Sequence, residues 1–250
     1  MAATPAGAGA PPVVLVHGFV ISSRYMVPAA EQLARQYPVY APDLPGFGRS
    51  TKPGRALSLT ELADALVAWL DVMGLEQPVL LGNSFGCQVI ADLAVRYPDR
   101  LARAVLIGPT IDRHRRTALQ QIARLQLDML REPASLPLLH IPDYVRAGPR
   151  RIFRTYQEMM RDRIEENLPL ISIPTLVVRG TRDPVAPRDW VEEVTRLLPA
   201  GRLAMIPGAA HAVNYNAPLE LARLVRGFLS DETCAEDKSG LRTSWVEGRL

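Results

Sequence analysis

The chain reads as an α/β protein, a doubly wound, mostly parallel sheet of about six strands with a helical cap insertion. Three observations predict this. Short, continuously apolar runs recur along its 250 residues, as strands buried on both faces require. Amphipathic stretches of helical period separate those runs. One interval of about sixty residues, from Ile111 to Leu170, has helical pattern and no strand.

Residues 1–12 are mostly Ala, Gly and Pro, with no basic segment ahead of an apolar one. No signal peptide is expected there, and the stretch reads as a flexible lead. The apolar runs are Val13–Val16, Val39–Ala41, Val79–Leu81, Ala104–Ile107, Thr175–Val178 and Leu203–Ile206. The clearest helix begins at Ser58-Leu59-Thr60-Glu61, a capping-box spacing, and stacks Leu62, Leu66, Trp69, Leu70 and Met73 before stopping at Gly74. Others run from about Ser84 to Arg96, Arg188 to Leu198 and Ala217 to Leu229. Within the long interval, Thr117–Leu130 and Arg150–Asn167 read as helices, separated by a stretch holding Pro133, Pro137, Pro142 and Pro149. The organisation expected is a core of residues 13–110 and 171–229, a helical cap over 111–170, and a polar tail over 230–250. A cap inserted after a strand lies over the carboxyl edge of the sheet, where open α/β sheets bind ligands.

Composition excludes several classes. Hydrophobic residues are 48% and charged residues 22%, so the chain can bury a core and wholesale disorder is excluded. No apolar run approaches the length of a membrane span, so no membrane partner is expected. Net charge is +3, and the whole excess lies between Asp112 and Pro169, with 11 Arg against 8 acids. The signs alternate there, which fits a solvated helical face and gives no nucleic-acid stripe. Cys87 and Cys234 are too few and too far apart for a disulfide framework, which fits a reducing cytoplasm. There is no P-loop, no H-E-x-x-H and no C-x-x-C, and Gly46-Phe47-Gly48 is not completed to a dinucleotide fingerprint. No cofactor or metal is expected. The partner expected is a small-molecule substrate, with the protein a monomer or homodimer.

Chemistry concentrates at strand ends. Gly82-Asn83-Ser84-Phe85-Gly86 follows an apolar run and opens a helix, so Ser84 sits on a tight turn with its hydroxyl above the sheet. The flanking glycines fit a close approach of helix and strand, where a Cβ would clash. Such a serine needs a base. Of the four histidines, His211 lies just beyond the last strand and can reach the same edge, whereas His114 and His140 lie in the cap and His17 ends the first strand. The histidine needs an acid to fix its tautomer. Asp183 follows the strand Thr175–Val178 and is favoured, and Asp112, after Ala104–Ile107, is its rival. Cys87, one turn along the elbow helix, reads as a small buried hydrophobe. Phe153, Tyr156, Met159 and Met160 could line a pocket or form the core of the cap.

The chain order Ser84, Asp183, His211 with a nucleophile elbow resembles the α/β-hydrolase superfamily from Val13 to about Leu229. His17-Gly18-Phe19 resembles its HG loop, and Asp43-Leu44-Pro45-Gly46-Phe47-Gly48-Arg49-Ser50 its D-x-x-G-x-G-x-S loop. The resemblance implies an oxyanion hole from the backbone N–H groups of Phe19 and Phe85, with His17 and Asp43 holding loops. It implies a serine hydrolase acting on a small, largely apolar ester or related acyl compound. Ser84 at the elbow sets the chain apart from dehalogenases and epoxide hydrolases of this fold, which place Asp there. Gly82-Asn83-Ser84 is similar to the elbow of hydrolases that cleave carbon–carbon bonds in ring-fission products. The run of glycines and the tryptophans of that subfamily are absent, and the alternative stays open. A non-catalytic receptor on the same fold is the alternative of another class.

The resemblance also implies a first hairpin ahead of Val13, which residues 1–12 are poorly composed to form. The strand Val39–Ala41 is then an edge, either covered by a partner or tolerated open, unless the chain has a further upstream segment.

Overall fold

The computed structural model describes residues 9–230. The expectations for residues 1–8, for 231–250 and for Cys234 lie outside the described residues. The strands are β1 (Val13–Val16), β2 (Val39–Tyr40), β3 (Val79–Asn83), β4 (Arg103–Ile107), β5 (Thr175–Gly180) and β6 (Gly201–Ile206). They form one parallel six-stranded sheet in the order β2-β1-β3-β4-β5-β6. Residues 9–12 add no strand to it.

Strand alternation sorts the core into two layers. Val14, Val16, Leu80 and Leu106 face α2 (Leu59–Val72), α3 (Phe85–Arg96) and α8 (Arg188–Leu197). Val13, Leu15, Leu81 and Val105 face α1 (Val27–Leu33), α9 (Val213–Asn216) and α10 (Pro218–Leu229). Both faces are covered, which explains runs with no polar alternation. β2 is one of the two edge strands and spans only two residues, paired Val13 to Val39 and Val14 to Tyr40. A short edge offers little backbone for stray pairing.

Between β4 and β5 lie α4 (Ala118–Met129), α5 (Ser135–Ala147), α6 (Pro149–Arg161) and α7 (Ile164–Asn167). The proline-rich separator between the two helices read there from the sequence is itself helix α5. Pro137 falls in its first turn, where the missing N–H would have no partner anyway, and Pro142 is tolerated inside. The single helix expected over Arg150–Asn167 breaks at Asp162, whose backbone is extended and whose carboxylate accepts from Gln88 Nε2 at 2.7 Å. Helix α1, short and rich in alanine, has no strong periodic signal in the sequence.

The winding of the sheet fixes where a site can form. The chain steps from β1 outward to β2, then crosses back to β3 on the other side of β1. The switch opens a crevice beyond the carboxyl ends of β1 and β3. Gly18-Phe19 follows β1 and Ser84 follows β3.

Candidate active site

Ser84 has φ 56° and ψ −119°, a conformation that side chains other than glycine rarely adopt. Such a turn costs about 1–3 kcal/mol and persists only where its surroundings hold it. Here the Ser84 N–H donates to Ile107 O at 2.9 Å, and Cys87 N–H donates to Ser84 O at 2.9 Å. Glycines allow the close approach. A Cβ on Gly82 would lie 2.7 Å from the Gly86 backbone, and one on Gly86 would lie 2.5 Å from Val16 O. The Ser84 hydroxyl makes no capping bond to α3, so it is not consumed by the helix it precedes.

His211 and Asp183 are brought together. His211 Nδ1 donates to Asp183 Oδ2 at 2.8 Å, and both side chains are buried. Asp183 Oδ1 accepts from the amides of Val185 at 2.7 Å and Ala186 at 3.0 Å, which fixes the carboxylate. Burial, the largest effect, disfavours the imidazolium, but the charge and hydrogen bond of Asp183, with Asp128 and Glu132, outweigh it and raise the His211 pKa. His211 Nε2 has no hydrogen-bond partner among the described residues, so the Ser84 hydroxyl and the imidazole are not bonded to each other. Asp112 is turned elsewhere: it accepts from the His114 amide and from Arg115 and Arg124.

The amides named for an oxyanion hole flank the same crevice. Phe85 is the first residue of α3, so its N–H has no intrahelical acceptor. Phe19 follows Gly18, which lies against the Ser84 side chain. The Phe19 ring meets Tyr156 of α6 edge-on, with centroids 6.2 Å apart. His17 is fully buried. Its Nδ1 donates to Gly18 O at 3.0 Å and its Nε2 accepts from Leu44 N–H at 2.9 Å, while burial lowers its pKa. Asp43 accepts from the amides of Ser23 and Arg49. Both residues hold loops. Cys87 is buried, its Sγ placed on the carbonyls of Gly82 and Ile107, and burial pushes its pKa up.

Two sets of residues at the site escaped sequence reasoning. Tyr25 O–H donates to Asn83 Oδ1 at 2.9 Å and accepts from Gly18 N–H at 2.8 Å, while Asn83 Nδ2 donates to Ile107 O and His211 O. One buried network thus ties the loop after β1, the elbow and the His211 loop. The second set comes from the end of α4 and the turn after it. Asp128 Oδ1 accepts from the His211 amide at 3.2 Å, and Glu132 Oε1 from the Ala212 amide at 2.6 Å. Arg131 donates to Arg182 O, next to Asp183. Burial, with smaller effects from Glu132 and Asp183, lifts Asp128 to about 6 against the pull of His211. The four-residue spacing of Asp128 and Glu132 is visible in the sequence, but nothing local pairs it with residues about eighty positions away.

Of the residues singled out between Ile111 and Leu170, Met159 is buried core, Phe153 is exposed, and Tyr156 and Met160 are half-buried. An open groove of about 800 Å³ runs behind the His211 loop between charged side chains including Arg131, Glu132, Glu220 and Arg223. Neither Ser84, Asp183 nor His211 lines it. Among the described residues, no cluster of His, Cys, Asp or Glu is arranged to hold a metal ion. No helix there is long and apolar enough to cross a membrane.

A parallel sheet with a positive-φ serine between its third strand and the following helix defines a hydrolase-type α/β fold. The chain belongs to the alpha/beta hydrolase family, whose model matches residues 13–224. It is 38% identical over 102 residues to the abhydrolase domain-containing protein abhd-5.2 of Caenorhabditis elegans, covering 39% of this chain and 23% of that one. It is 26% identical to a pimeloyl acyl-carrier-protein methyl ester esterase of Neisseria meningitidis, over 93% of this chain and 82% of that one. A thermophilic esterase from Thermogutta terrifontis superposes with TM-score 0.68 at 26% identity, covering 91% of each chain.

Proposed function

We propose that this chain is a serine hydrolase that cleaves a small, largely apolar ester or related acyl compound through an acyl-enzyme. The observation that carries the reading is the His211–Asp183 pair, bonded at 2.8 Å, at the same sheet edge as the positive-φ turn that presents Ser84. Ser84 attacks the carbonyl while His211 Nε2 takes its proton. Asp183 holds Nδ1 protonated and stabilises the imidazolium as it forms. The amides of Phe19 and Phe85 receive the oxyanion at the positive end of the α3 dipole. His211 then returns its proton to the leaving alcohol, and water, activated by the same histidine, releases the acid. The helices of residues 111–170 act as the cap, shielding the reacting carbonyl and setting substrate choice. The ester-cleaving relatives support this class.

Asn83, the residue shared with carbon–carbon bond hydrolases, is accounted for by its bonds to Tyr25, Ile107 and His211. It favours neither chemistry. Turnover of a panel of nitrophenyl esters is expected in the wild type and lost in Ser84→Ala by at least about a thousandfold. Turnover retained in Ser84→Ala overturns the proposal, and turnover of a ring-fission dienoate alone moves the substrate class.

A further inference from the structure

The inserted helices carry many apolar side chains outward. On α4, Gln121 and Asp128 are buried, whereas Leu119 and the capping Leu130 are 79% and 83% exposed. On α5, Leu138, Ile141 and Val145 fall three and four residues apart, hence on one face, and all are exposed. On α6, Arg150, Phe153 and Arg154 share an exposed face. Outside residues 111–170, the exposed large apolar side chains among the described residues are only Val72, Met73 and Leu219. A concentration of this kind marks an interaction surface.

The charge around it has one sign. Arg150 and Arg154 are exposed, Arg154 donates to the Gln157 side chain, and neither has a carboxylate partner among the described residues, whereas Arg146 and Arg151 turn back onto the carbonyls of Gly48, Pro53 and Arg55. The eight acids of the segment are all engaged. Asp112, Asp128 and Asp143 are buried, and Glu132 and Asp162 accept from amides. Glu158, Glu165 and Glu166 pair with arginines. The part of the basic excess that faces outward is therefore Arg150 and Arg154.

We propose that the outer face of α5 and α6, which pack on each other, docks onto an anionic phospholipid surface. The leucine, isoleucine, valine and phenylalanine side chains enter the boundary between headgroups and acyl chains, and the arginines meet the lipid phosphates. A second copy fits this face less well, because a two-fold contact would set its arginines against themselves. A nucleic acid would leave the apolar side chains unburied. The lack of a spanning run, which led to the expectation of no membrane partner, bears on crossing a bilayer and not on lying at its surface. The inference stands whether or not Ser84 is a nucleophile.

The test is co-sedimentation of the full chain with vesicles of phosphatidylcholine and phosphatidylglycerol, against phosphatidylcholine alone. Binding to the anionic vesicles is expected to be at least about tenfold tighter and to weaken with salt. The double variants Ile141→Glu/Val145→Glu and Arg150→Glu/Arg154→Glu are each expected to lose about tenfold in binding. Their circular dichroism and unfolding midpoint are expected to stay at the wild-type values, which shows that folding is intact. No binding to either vesicle, equal binding to both, or binding unchanged in the variants overturns the proposal. So does a dimer in sedimentation velocity that Ile141→Glu/Val145→Glu dissociates, which would make a second copy the occupant.

Discussion

Helices α2 and α4 begin alike and face opposite ways. Each opens with a capping box, Ser58 with Glu61 and Thr117 with Gln120, and each carries a stripe of leucines. Helix α2 buries Leu62, Leu66 and Leu70 against the sheet. Helix α4 turns Gln121 and Asp128 inward and leaves Leu119 and Leu130 in the open. An apolar stripe therefore locates a face of a helix without saying what the face meets. Helix α2 is held by burial, at about 1.5–3 kcal/mol for each large side chain. Helix α4 and the turn after it join the core through charged hydrogen bonds that end on the His211 and Asp183 loops, at about 1.5–3 kcal/mol each. The core supplies rigidity, and the insertion supplies a polar hold on the loops of His211 and Asp183.

The comparison is tested most strongly by truncating one leucine from each helix. Leu66→Ala is expected to cost about 2–5 kcal/mol in urea unfolding. Leu130→Ala is expected to stay within about 0.5 kcal/mol. A large loss from Leu130→Ala would mean that α4 is packed on its leucine side after all. Next in size, Tyr25→Phe leaves Asn83 Oδ1 and the Gly18 amide without their buried partner. It is expected to cost about 1–3 kcal/mol in stability and to lower kcat more than it raises KM. Unchanged stability and turnover would show that this core-side network is not what aligns the elbow with the His211 loop.

The smallest effect separates the insertion's hold from simple packing. In the proposed mechanism His211 acts as a base only when neutral, and its pKa lies above the ordinary 6.5 because the nearby carboxylates outweigh burial. The acid limb of kcat/KM is therefore expected above pH 6.5. Asp128→Asn removes one negative charge beside the imidazole while keeping an acceptor for the His211 amide. The His211 pKa then falls, and the acid limb is expected to move to lower pH by roughly half a unit to one unit. A limb that stays in place would make Asp128 a structural acceptor and nothing more.

Much of this architecture was legible in the sequence for a physical reason. Strands such as Val79–Leu81 are buried on both faces, so their apolar character is continuous and local. Gly82 and Gly86 are readable because the elbow's chemistry and its crowding act over five residues. Asp183 and His211 follow from their places just beyond β5 and β6. Asp112 met the same local criterion, and only tertiary structure puts it on Arg115 and Arg124 instead of His211. The inward face of α4, the helix running through Pro142 and the part of Tyr25 all depend on contacts distant in sequence. No local pattern encodes those.

The central claim, that Ser84 is a nucleophile activated by His211 and Asp183, is tested most directly by a fluorophosphonate probe followed by peptide mass spectrometry. One label per chain, on Ser84, is expected, with labelling lost in Ser84→Ala and slowed strongly in His211→Gln. No label on the wild type, or equal labelling of Ser84→Ala, would contradict it.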